Sequence, residues 1–370
     1  MKLAILGASK PHLKLFLKAK EMGIETYCVA WDKDAYCKNF ADHFCDISII
    51  DKEAVADMCI KEKIDGIISN ALEIAVPTIA YVSEKCGLNG ISQASSEKAR
   101  NKYKMRRCIQ EHNACPQPNY HLLKNDNTFR PQTFPIIVKP TDSSSSKGVT
   151  KITKIEEYDI ALKRALEASK QKEVLIEEFI DGREISVETI SYHGVHYILT
   201  ITDKETTGAP YFVETAHHQP TTLDTTLQNK IHIYVRNILN ALKIDEGASH
   251  AEFKIDHSGN VFFIEIGARG GGDFISYNLV ELSTGYDYIK GMIEVALDIF
   301  KKPSIKKQSC AGVYFLSKNT SYIKDFIDKN KHEKWVIDYN IENKPLITLT
   351  KSQDRTGYII YQSDHRINVK

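Results

Sequence analysis

The chain has 370 residues, of which 42% are hydrophobic and 26% charged, and this composition excludes a disordered or fibrous protein. Its length indicates two or three domains. The net charge of +1 excludes a global field that would draw the protein to nucleic acid or an anionic membrane. The sequence shows no signal peptide and no apolar stretch of about 20 residues, and its eight cysteines form no C-x-x-C pair. We therefore expect a cytoplasmic protein with reduced thiols.

The first 95 residues alternate short apolar strands with helical patterns. The predicted elements are strands at 3–6, 24–30 and 64–69 and helices at 12–22, 52–62 and 72–86. Such alternation is typical of parallel βαβ units, so we expect a Rossmann-like domain. Only Gly7 precedes the first helix, and the G-x-G-x-x-G fingerprint of dinucleotide sites is missing. This disfavours a nicotinamide-dependent oxidoreductase.

The rest of the chain is richer in β-structure. The predicted elements are helices at 95–113, 155–170, 224–242 and 286–300, strands at 134–139, 151–153 and 174–180, further strands within 183–218, and a hairpin at 248–266. The run KKPSIKK at 301–307 is a predicted linker. A small α+β unit with strands near 311–316 and 358–361 is expected to follow it.

The hairpin at 248–266 carries the sharpest chemical signal. If its turn is HSGN at 257–260, Glu252 lies directly opposite Glu265. Two opposed carboxylates repel each other unless a cation lies between them, and such pairs are typical Mg²⁺ ligands. The alternatives are a solvated face with incidental acids and a one-residue register slip. The same register predicts an apolar face made of Ala251, Phe253, Ile255, Phe262, Ile264 and Ile266.

A glycine-rich loop, GARGGG, follows the hairpin directly. It places Arg269 just beyond Glu265, on a backbone that can approach a ligand closely. The planar guanidinium group suits phosphate or carboxylate oxygens.

Taken in order over residues 1–300, these and other motifs resemble the ATP-grasp superfamily. NKYKMR at 101–106 is similar to the segment that opens the ATP-grasp domain, FPIIVKP at 134–140 to a strand with a nucleotide lysine, and SSSSKGV to the loop that covers phosphate. VLIEEFI at 174–180 is similar to the strand that binds adenine through its backbone, and the acid that holds the ribose follows it. The nucleotide-binding residues that this resemblance implies are Lys102, Lys139, Ser145, Ser146, Lys147, Gly148, Glu177, Glu178, Phe179, Ile180 and Glu184.

The resemblance also implies the metal ligands and a catalytic arginine. Glu252 and Glu265 fall on the two acids that bind Mg²⁺ or Mn²⁺, and Arg269 on the residue that steadies the transferred phosphate of ATP. The family commonly has asparagine two residues after the second acid, where this chain has Gly267. Three arrangements are compatible with glycine there: water fills the coordination position of the missing side chain, Glu265 binds the metal with both oxygens, or only one metal ion is held well.

The activity implied is that of an ATP-dependent ligase that activates a small carboxylate, an amino acid or a related metabolite, as an acyl phosphate for attack by an amine. The arrangement is most similar to the carbamoyl-phosphate-synthase-like and L-amino acid ligase branch. His217 and His218 follow an aromatic strand, and either histidine would suit the binding or deprotonation of an amine. The alternative is that both belong to a polar surface loop. We predict that His218 is the catalytic one. The other candidate functions are an ATP-dependent carboxylase-type enzyme and a nucleotide-binding module without turnover.

The fold class implied is a multidomain α/β and α+β protein. Its predicted domains are a Rossmann-like pre-ATP-grasp domain at 1–95, an ATP-grasp domain at 96–305 with a lid at 134–173, and a small C-terminal α+β unit at 306–370. The expected partners are small-molecule carboxylate and amine substrates, without nucleic acid or membrane. The oligomeric state, a homodimer included, is open.

Overall fold

The structure is a computed structural model that describes residues 1–124, 129–143, 147–305 and 309–369. Within these ranges the strands form a parallel sheet of four strands, a small antiparallel sheet of four and a large antiparallel sheet of eight. Helices pack on all three. The predicted multidomain α/β and α+β fold is confirmed.

The N-terminal domain is built on the parallel sheet, with strand order β3-β2-β1-β4. Its strands and helices are β1 (Lys2–Leu6), α1 (Leu13–Glu21), β2 (Glu25–Ala30), β3 (His43–Asp46), α2 (Lys52–Glu62), β4 (Gly66–Ile68) and α3 (Val76–Cys86). The predicted Rossmann-like alternation is confirmed. Strand β3 was not predicted, because its sequence HFCD is short, partly exposed and without a continuous apolar run.

The single helix predicted at 95–113 is wrong, because two helices occupy this region. They are α4 (Gln93–Arg100) and α5 (Lys102–Glu111). Asn101 between them has an extended backbone, and its side chain accepts a hydrogen bond from the amide of Lys104, so it caps α5. The break places Lys102 at the first position of α5, where its amide donates to the carbonyl of Thr141 at 2.8 Å.

The small sheet has the strand order β5-β8-β6-β7 and, with one helix, includes the segment that we predicted as a lid. Its elements are β5 (Tyr120–Lys124), β6 (Ile136–Pro140), β7 (Thr150–Ile152), α6 (Tyr158–Ala168) and β8 (Glu173–Glu178). It extends beyond the predicted lid at 134–173, because β5 and most of β8 also pair into it. Ser145 and Ser146 lie outside the described residues.

The large sheet has the strand order β13-β12-β9-β10-β11-β14-β16-β15. Its strands are β9 (Arg183–Tyr192), β10 (Val195–Thr206), β11 (Glu214–Gln219), β12 (Gly247–Ile255), β13 (Val261–Gly267), β14 (Cys310–Leu316), β15 (Val336–Ile341) and β16 (Gly357–Ser363). The helices of this region are α7 (Thr225–Leu242), α8 (Val280–Thr284), α9 (Tyr288–Ala296) and α10 (Tyr322–Asn330). The last three strands of the chain therefore belong to the large sheet and not to a separate one. Part of the predicted linker, residues 306–308, lies outside the described residues.

The hairpin of β12 and β13 confirms the predicted pairing of Glu252 with Glu265. The ladder is not regular, however. Phe253 pairs with Phe263, so Ile264 is the extra residue of a β-bulge between the two pairs. Between the turn and the bulge the pairing is therefore one residue out of the predicted register, and the bulge restores that register at the acids.

The bulge changes which side chains of β13 enter the core. Phe262 and Ile264 were predicted to lie on the apolar face, and this is wrong: both are only partly buried. Val261 and Phe263 are fully buried in their place. An extra residue reverses the alternation of side chains on one side of it, which a strict period of two does not show.

All eight cysteines are free, and five of them are buried. Among the described helices, none combines the length and apolar character that crossing a membrane requires.

Candidate active site

The opposed carboxylates of Glu252 and Glu265 lie on one face of the hairpin, beside the first turn of α5. The Nζ atom of Lys102 is 3.4 Å from Glu265 Oε2 and donates to the carbonyl of Ser143 at 2.8 Å. Lys102 lowers the pKa of Glu265, against burial and the repulsion of Glu252. The structure thus brings the first predicted nucleotide lysine to one of the predicted metal ligands.

A buried lysine that the sequence did not single out, Lys204 of β10, connects the acids of the site. Its Nζ atom lies 2.7 Å from Glu184, 2.9 Å from Glu252 and 3.6 Å from Glu214. Burial lowers the pKa of Lys204, but these carboxylates outweigh it and raise the pKa well above its usual value. Glu184 and Glu252, predicted to hold ribose and metal, are therefore held by one ammonium group. The register of β9 and β10 places Lys204 directly opposite Glu184. Lys204 could therefore have been identified from this strand register.

A buried histidine, His250, forms the next layer behind Glu252. Its Nδ1 atom is hydrogen-bonded to Glu188 and its Nε2 atom lies 3.1 Å from Glu252. Burial lowers the pKa of His250, but the two carboxylates raise it to about 9. The other oxygen of Glu188 accepts from the amide of Gly271 at 3.0 Å, which fixes the glycine-rich loop against the sheet.

Lys139 lies at the base of the small sheet in a buried ion cluster. Its Nζ atom is 2.5 Å from Glu177, whose other oxygen accepts from Nε of Arg106 at 2.7 Å. Burial raises the pKa of Glu177, but Arg106 and Lys139 lower it to about 2, and burial lowers the pKa of Lys139. The side chain of Glu177 thus orients two cations, a role that the prediction of a backbone contact with adenine did not include. Arg106 was missed, although it lies one helical turn from Lys102.

The other residues of the predicted adenine-binding strand, from Glu178 to Ile180, follow Glu177 directly. The amides of Glu178 and Phe179 donate to the carbonyls of Asn119 and Pro135, at 2.9 and 3.2 Å. Among the described residues, the amide of Ile180 has no such partner, and its contact with adenine stays a prediction. The exposed carboxylate of Glu178 accepts from the side chain of Asn119.

Two predicted residues of the phosphate-covering loop are described. Lys147 is exposed to solvent. Gly148 has a φ of +78°, and a Cβ atom there would lie 2.5 Å from the side chain of Ala168 in α6. The loop therefore turns at a position that only glycine fits, and then enters β7.

Arg269 of the glycine-rich loop is held from two sides. Its Nε atom donates to Oε2 of Glu73 at 3.1 Å, and one terminal nitrogen donates to the carbonyl of Gly270 at 2.9 Å. Glu73 belongs to the N-terminal domain, between β4 and α3, and was not predicted as a site residue. This contact joins two domains across 196 residues of sequence.

The structure does not bring His218 to this face of the sheet. His218 pairs with Asp203, whereas Lys204 pairs with His217, so the two histidines point to opposite faces. His218 is buried, its Nδ1 atom is 2.9 Å from the hydroxyl of Tyr361, and burial lowers its pKa. This orientation places His218 away from the acids and gives its predicted catalytic role no support, whereas His217 occupies the face of the acids.

A second charged cluster surrounds His217. Arg355, from the loop before β16, lies 2.7 Å from Asp273 and 3.1 Å from Glu214, with its guanidinium 3.9 Å from the ring of Phe315. The Nε2 atom of His217 is 3.9 Å from Asp273. Burial raises the pKa of Asp273, but His217 and Arg355 lower it well below its usual range. Nδ1 of His217 is buried without a hydrogen-bond partner among the described residues.

The donor set around the acidic pair fits a divalent cation that is also bound by phosphate. No group of three or more histidines, cysteines or acids that could hold a metal occurs within the described ranges. Mg²⁺ commonly uses one or two carboxylates and takes its other ligands from water and substrate phosphates. Glu265, whose side chain is 39% exposed, and the free oxygen of Glu252 supply such carboxylates. Gly267 offers no side-chain oxygen.

Comparisons with known proteins agree with this geometry. Residues 132–277 match the family described as the ATP-grasp domain. Alanine–anticapsin ligase of Bacillus subtilis is 29% identical over 301 residues, which cover 70% of this chain and 61% of the relative. The match thus spans about three fifths of that relative's length. The formate-dependent phosphoribosylglycinamide formyltransferase of Prochlorococcus marinus is 23% identical and covers 100% of this chain and 94% of the relative.

Solved structures share the fold over nearly the whole chain. An L-amino acid ligase from Bacillus licheniformis superposes with a TM-score of 0.82 at 23% identity, covering 98% of this chain and 93% of that one. A phosphoribosylglycinamide synthetase from Anaerococcus prevotii gives 0.78 at 21% identity, covering 98% and 94%. At these identities the likeness concerns the fold alone.

Proposed function

Because this chain carries an ATP-grasp domain, we propose that it is an ATP- and Mg²⁺-dependent ligase that joins a small carboxylate to an amine. The observation that carries the proposal is the opposed pair of Glu252 and Glu265, with Lys102 3.4 Å from Glu265. A pair of facing acids next to a lysine suits a site where a cation and a polyphosphate bind together.

The proposed reaction has two steps. In the first, a carboxylate oxygen attacks the γ-phosphorus of ATP, the bond to the bridging oxygen breaks, and an acyl phosphate and ADP form. In the second, the amine attacks the acyl carbon, the C–N bond forms and phosphate leaves. A carboxylate is a poor electrophile, and the phosphoryl group provides the leaving group that it lacks.

The residues of the site have separate tasks in this scheme. Lys102 and Lys139 would neutralise the phosphates of ATP, and Arg269 the phosphoryl group in transfer. Glu252 and Glu265 would hold Mg²⁺ (or Mn²⁺), which supplies charge neutralisation to the phosphates when bound. No nucleophile of the protein takes part.

For the amine we propose the cluster around His217. The buried unpartnered Nδ1 of His217 and the carboxylates of Asp273 and Glu214 suit an ammonium group that loses a proton before it attacks. The names of an alanine–anticapsin ligase and an L-amino acid ligase among the similar proteins favour amino acids as the carboxylate substrate.

The free cysteines suit the reducing cytoplasm, which we propose as the compartment of this protein.

The test is a phosphate-release screen with MgATP over pairs of amino acids and other small carboxylates. We expect release with at least one pair, and a hydroxamate when hydroxylamine replaces the amine. Glu265→Gln keeps the shape and removes the charge, and should reduce release about 100-fold. Glu281→Gln, on an exposed position of α8, is the matched control and should match the parent.

Three outcomes would contradict the proposal. Binding of MgATP without release across the whole panel would indicate a module without turnover. Release that needs bicarbonate and no amine would indicate a carboxylase-type enzyme. Undiminished release by the Glu265→Gln variant would remove the metal assignment.

A further inference from the structure

The contact between Arg269 and Glu73 fixes the orientation of the guanidinium group. Nε is bound by Glu73 at 3.1 Å and one terminal nitrogen by the carbonyl of Gly270 at 2.9 Å. Among the residues that the structure describes, the remaining terminal nitrogen has no hydrogen-bond partner. Two of the three nitrogens are thus used to hold the third in one direction, which is how a donor is preorganised for an anion.

Gly267 leaves the space that this contact needs. A Cβ atom at position 267 would lie 3.1 Å from Oε2 of Glu73 and 3.2 Å from Cζ of Arg269. Both distances are tighter than ordinary van der Waals contact, so with a side chain there the pair would have to shift by a few tenths of an ångström. Position 267 is thus beside an ion pair between the N-terminal domain and the glycine-rich loop.

Glu73 also lies between two cations. Nε of Arg100, at the end of α4, is 3.9 Å from its other oxygen. The three groups carry a net charge of +1, which remains available to an anion. Without Glu73 the two guanidinium groups would face each other with no anion between them.

We propose that Glu73 is a positioning residue, through which the N-terminal domain orients Arg269 toward the transferred phosphoryl group. This inference rests on the proposed function, because it assigns Arg269 to that group. It adds a residue outside the ATP-grasp domain to the machinery of the first step. It also gives a physical account of Gly267.

Charge and orientation make opposite predictions for one substitution. Glu73→Gln removes a negative charge, so an arginine that acts by charge alone would bind phosphates more tightly and lose no turnover. If orientation matters, kcat for phosphate release falls about 100-fold, the scale of a misplaced catalytic group. The dissociation constant of MgADP, measured by calorimetry, then stays equal or decreases.

Conservative and matched variants complete the test. Glu73→Asp keeps the charge on a shorter side chain and should recover part of the lost kcat. Glu53→Gln removes an exposed glutamate of the same domain, paired with Lys85, and should leave kcat and MgADP binding unchanged. Gly267→Ala should lower kcat as Glu73→Ala does, and the double variant should lose no more than Glu73→Ala alone, because no ion pair is left to displace.

The outcomes separate this inference from the proposed function. If Arg269→Ala loses turnover and Glu73→Gln keeps it within threefold, the positioning role is wrong and the ligase proposal stands. If Glu73→Gln loses MgADP affinity as strongly as kcat, Glu73 is merely structural and the inference is overturned. If Arg269→Ala retains full turnover, the assignment of Arg269 fails, and this inference fails with it.

Discussion

At the scale of single residues, the candidate active site is organised by side chains that were not predicted as site residues. Lys204 contacts three acids, Arg106 holds the carboxylate behind Lys139, and Glu73 holds Arg269. Each is a partner of a residue that the sequence did identify. A buried charge needs a counter-charge, so these residues are as much a part of the site as the ones they serve.

Lys204 provides a direct test of this dependence. Lys204→Met leaves Glu184 with the more distant Lys254 alone and the partly buried Glu252 with His250 alone. We therefore expect the free energy of unfolding, measured with urea, to fall by about 3–5 kcal/mol. Lys85→Met, which breaks an exposed pair with Glu53, is the control and should leave the unfolding midpoint unchanged. A loss no larger than that of the control would contradict the role of Lys204 as the common counter-charge.

Glu177 makes stability depend on pH in a defined direction. Its pKa falls from an ordinary 4.5 to about 2 in the folded protein, so its ionised form favours folding above pH 4.5. This contribution is lost as pH falls through 2, because the folded protein must then take up the proton that the unfolded chain already binds. We expect the free energy of unfolding to decline from pH 5 to pH 2.

The Glu177→Gln variant tests how much Glu177 contributes to this pH dependence of stability. It should be less stable than the parent at pH 5, because Arg106 and Lys139 keep their charges without a partner, and its decline toward pH 2 should be shallower. Parallel curves for the parent and the variant, measured by urea unfolding at each pH, would contradict the assignment.

At the scale of secondary-structure elements, the break between α4 and α5 positions Lys102. Asn101 caps α5, and the amide of Lys102 is bonded to Thr141 of the small sheet. Asn101→Ala should cost about 1 kcal/mol of stability, and it should also raise KM for ATP, because the lysine loses its fixed place at the helix start.

A second capping residue serves as the control for this prediction. Asp224 caps α7, away from the acids of the site, and its side chain accepts from the amide of Leu227. Asp224→Ala should cost a similar stability and leave KM for ATP unchanged. Equal effects of the two substitutions on KM would show that the cap at Asn101 serves stability alone.

Much of the arrangement of helices and strands could be predicted from the sequence. The βαβ alternation of the first domain and the opposed acids of the hairpin followed from apolar periodicity and turn residues. The division at Asn101 did not, because helical periodicity continues across one extended residue. The core face of β13 was wrong in part because a bulge changes the alternation and leaves no mark in composition.

The partners of the site residues could not be predicted, for a different reason. Lys204 and Glu252 are 48 residues apart, and Glu73 and Arg269 are 196 apart. Such contacts depend on strand order and domain packing, which local patterns do not determine. The choice between His217 and His218 likewise depended on the register of β11, which a bulge in the ladder with β10 shifts.

At the scale of the whole molecule, the C-terminal segment is part of the site. Strands β14 and β16 extend the large sheet beyond β11, and the loop before β16 places Arg355 between Asp273 and Glu214. A segment that the sequence indicated as a separate unit therefore contributes to the proposed amine subsite.

Arg355→Gln tests this contribution. The substitution removes two charge-assisted contacts, so we expect KM for the amine to rise about tenfold or more while KM for ATP stays the same. Arg366→Gln, which removes a C-terminal arginine bound to Asp203 on the other face, should leave KM for the amine unchanged. Equal changes in both Michaelis constants for Arg355→Gln would contradict a specific place for Arg355 in the acceptor half.

The continuity of the large sheet has a practical consequence for altering the proposed acceptor specificity. The proposed nucleotide half lies on β12, β13 and the small sheet, whereas the proposed acceptor half draws on β11, the loop around Asp273 and the last strands. A chimera that exchanges residues 310–369 with those of a relative should change the acceptor only if the donor also matches Asp273 and Glu214, because Arg355 contacts both acids. Grafting the last strands together with these two positions is thus the exchange that keeps Arg355 paired.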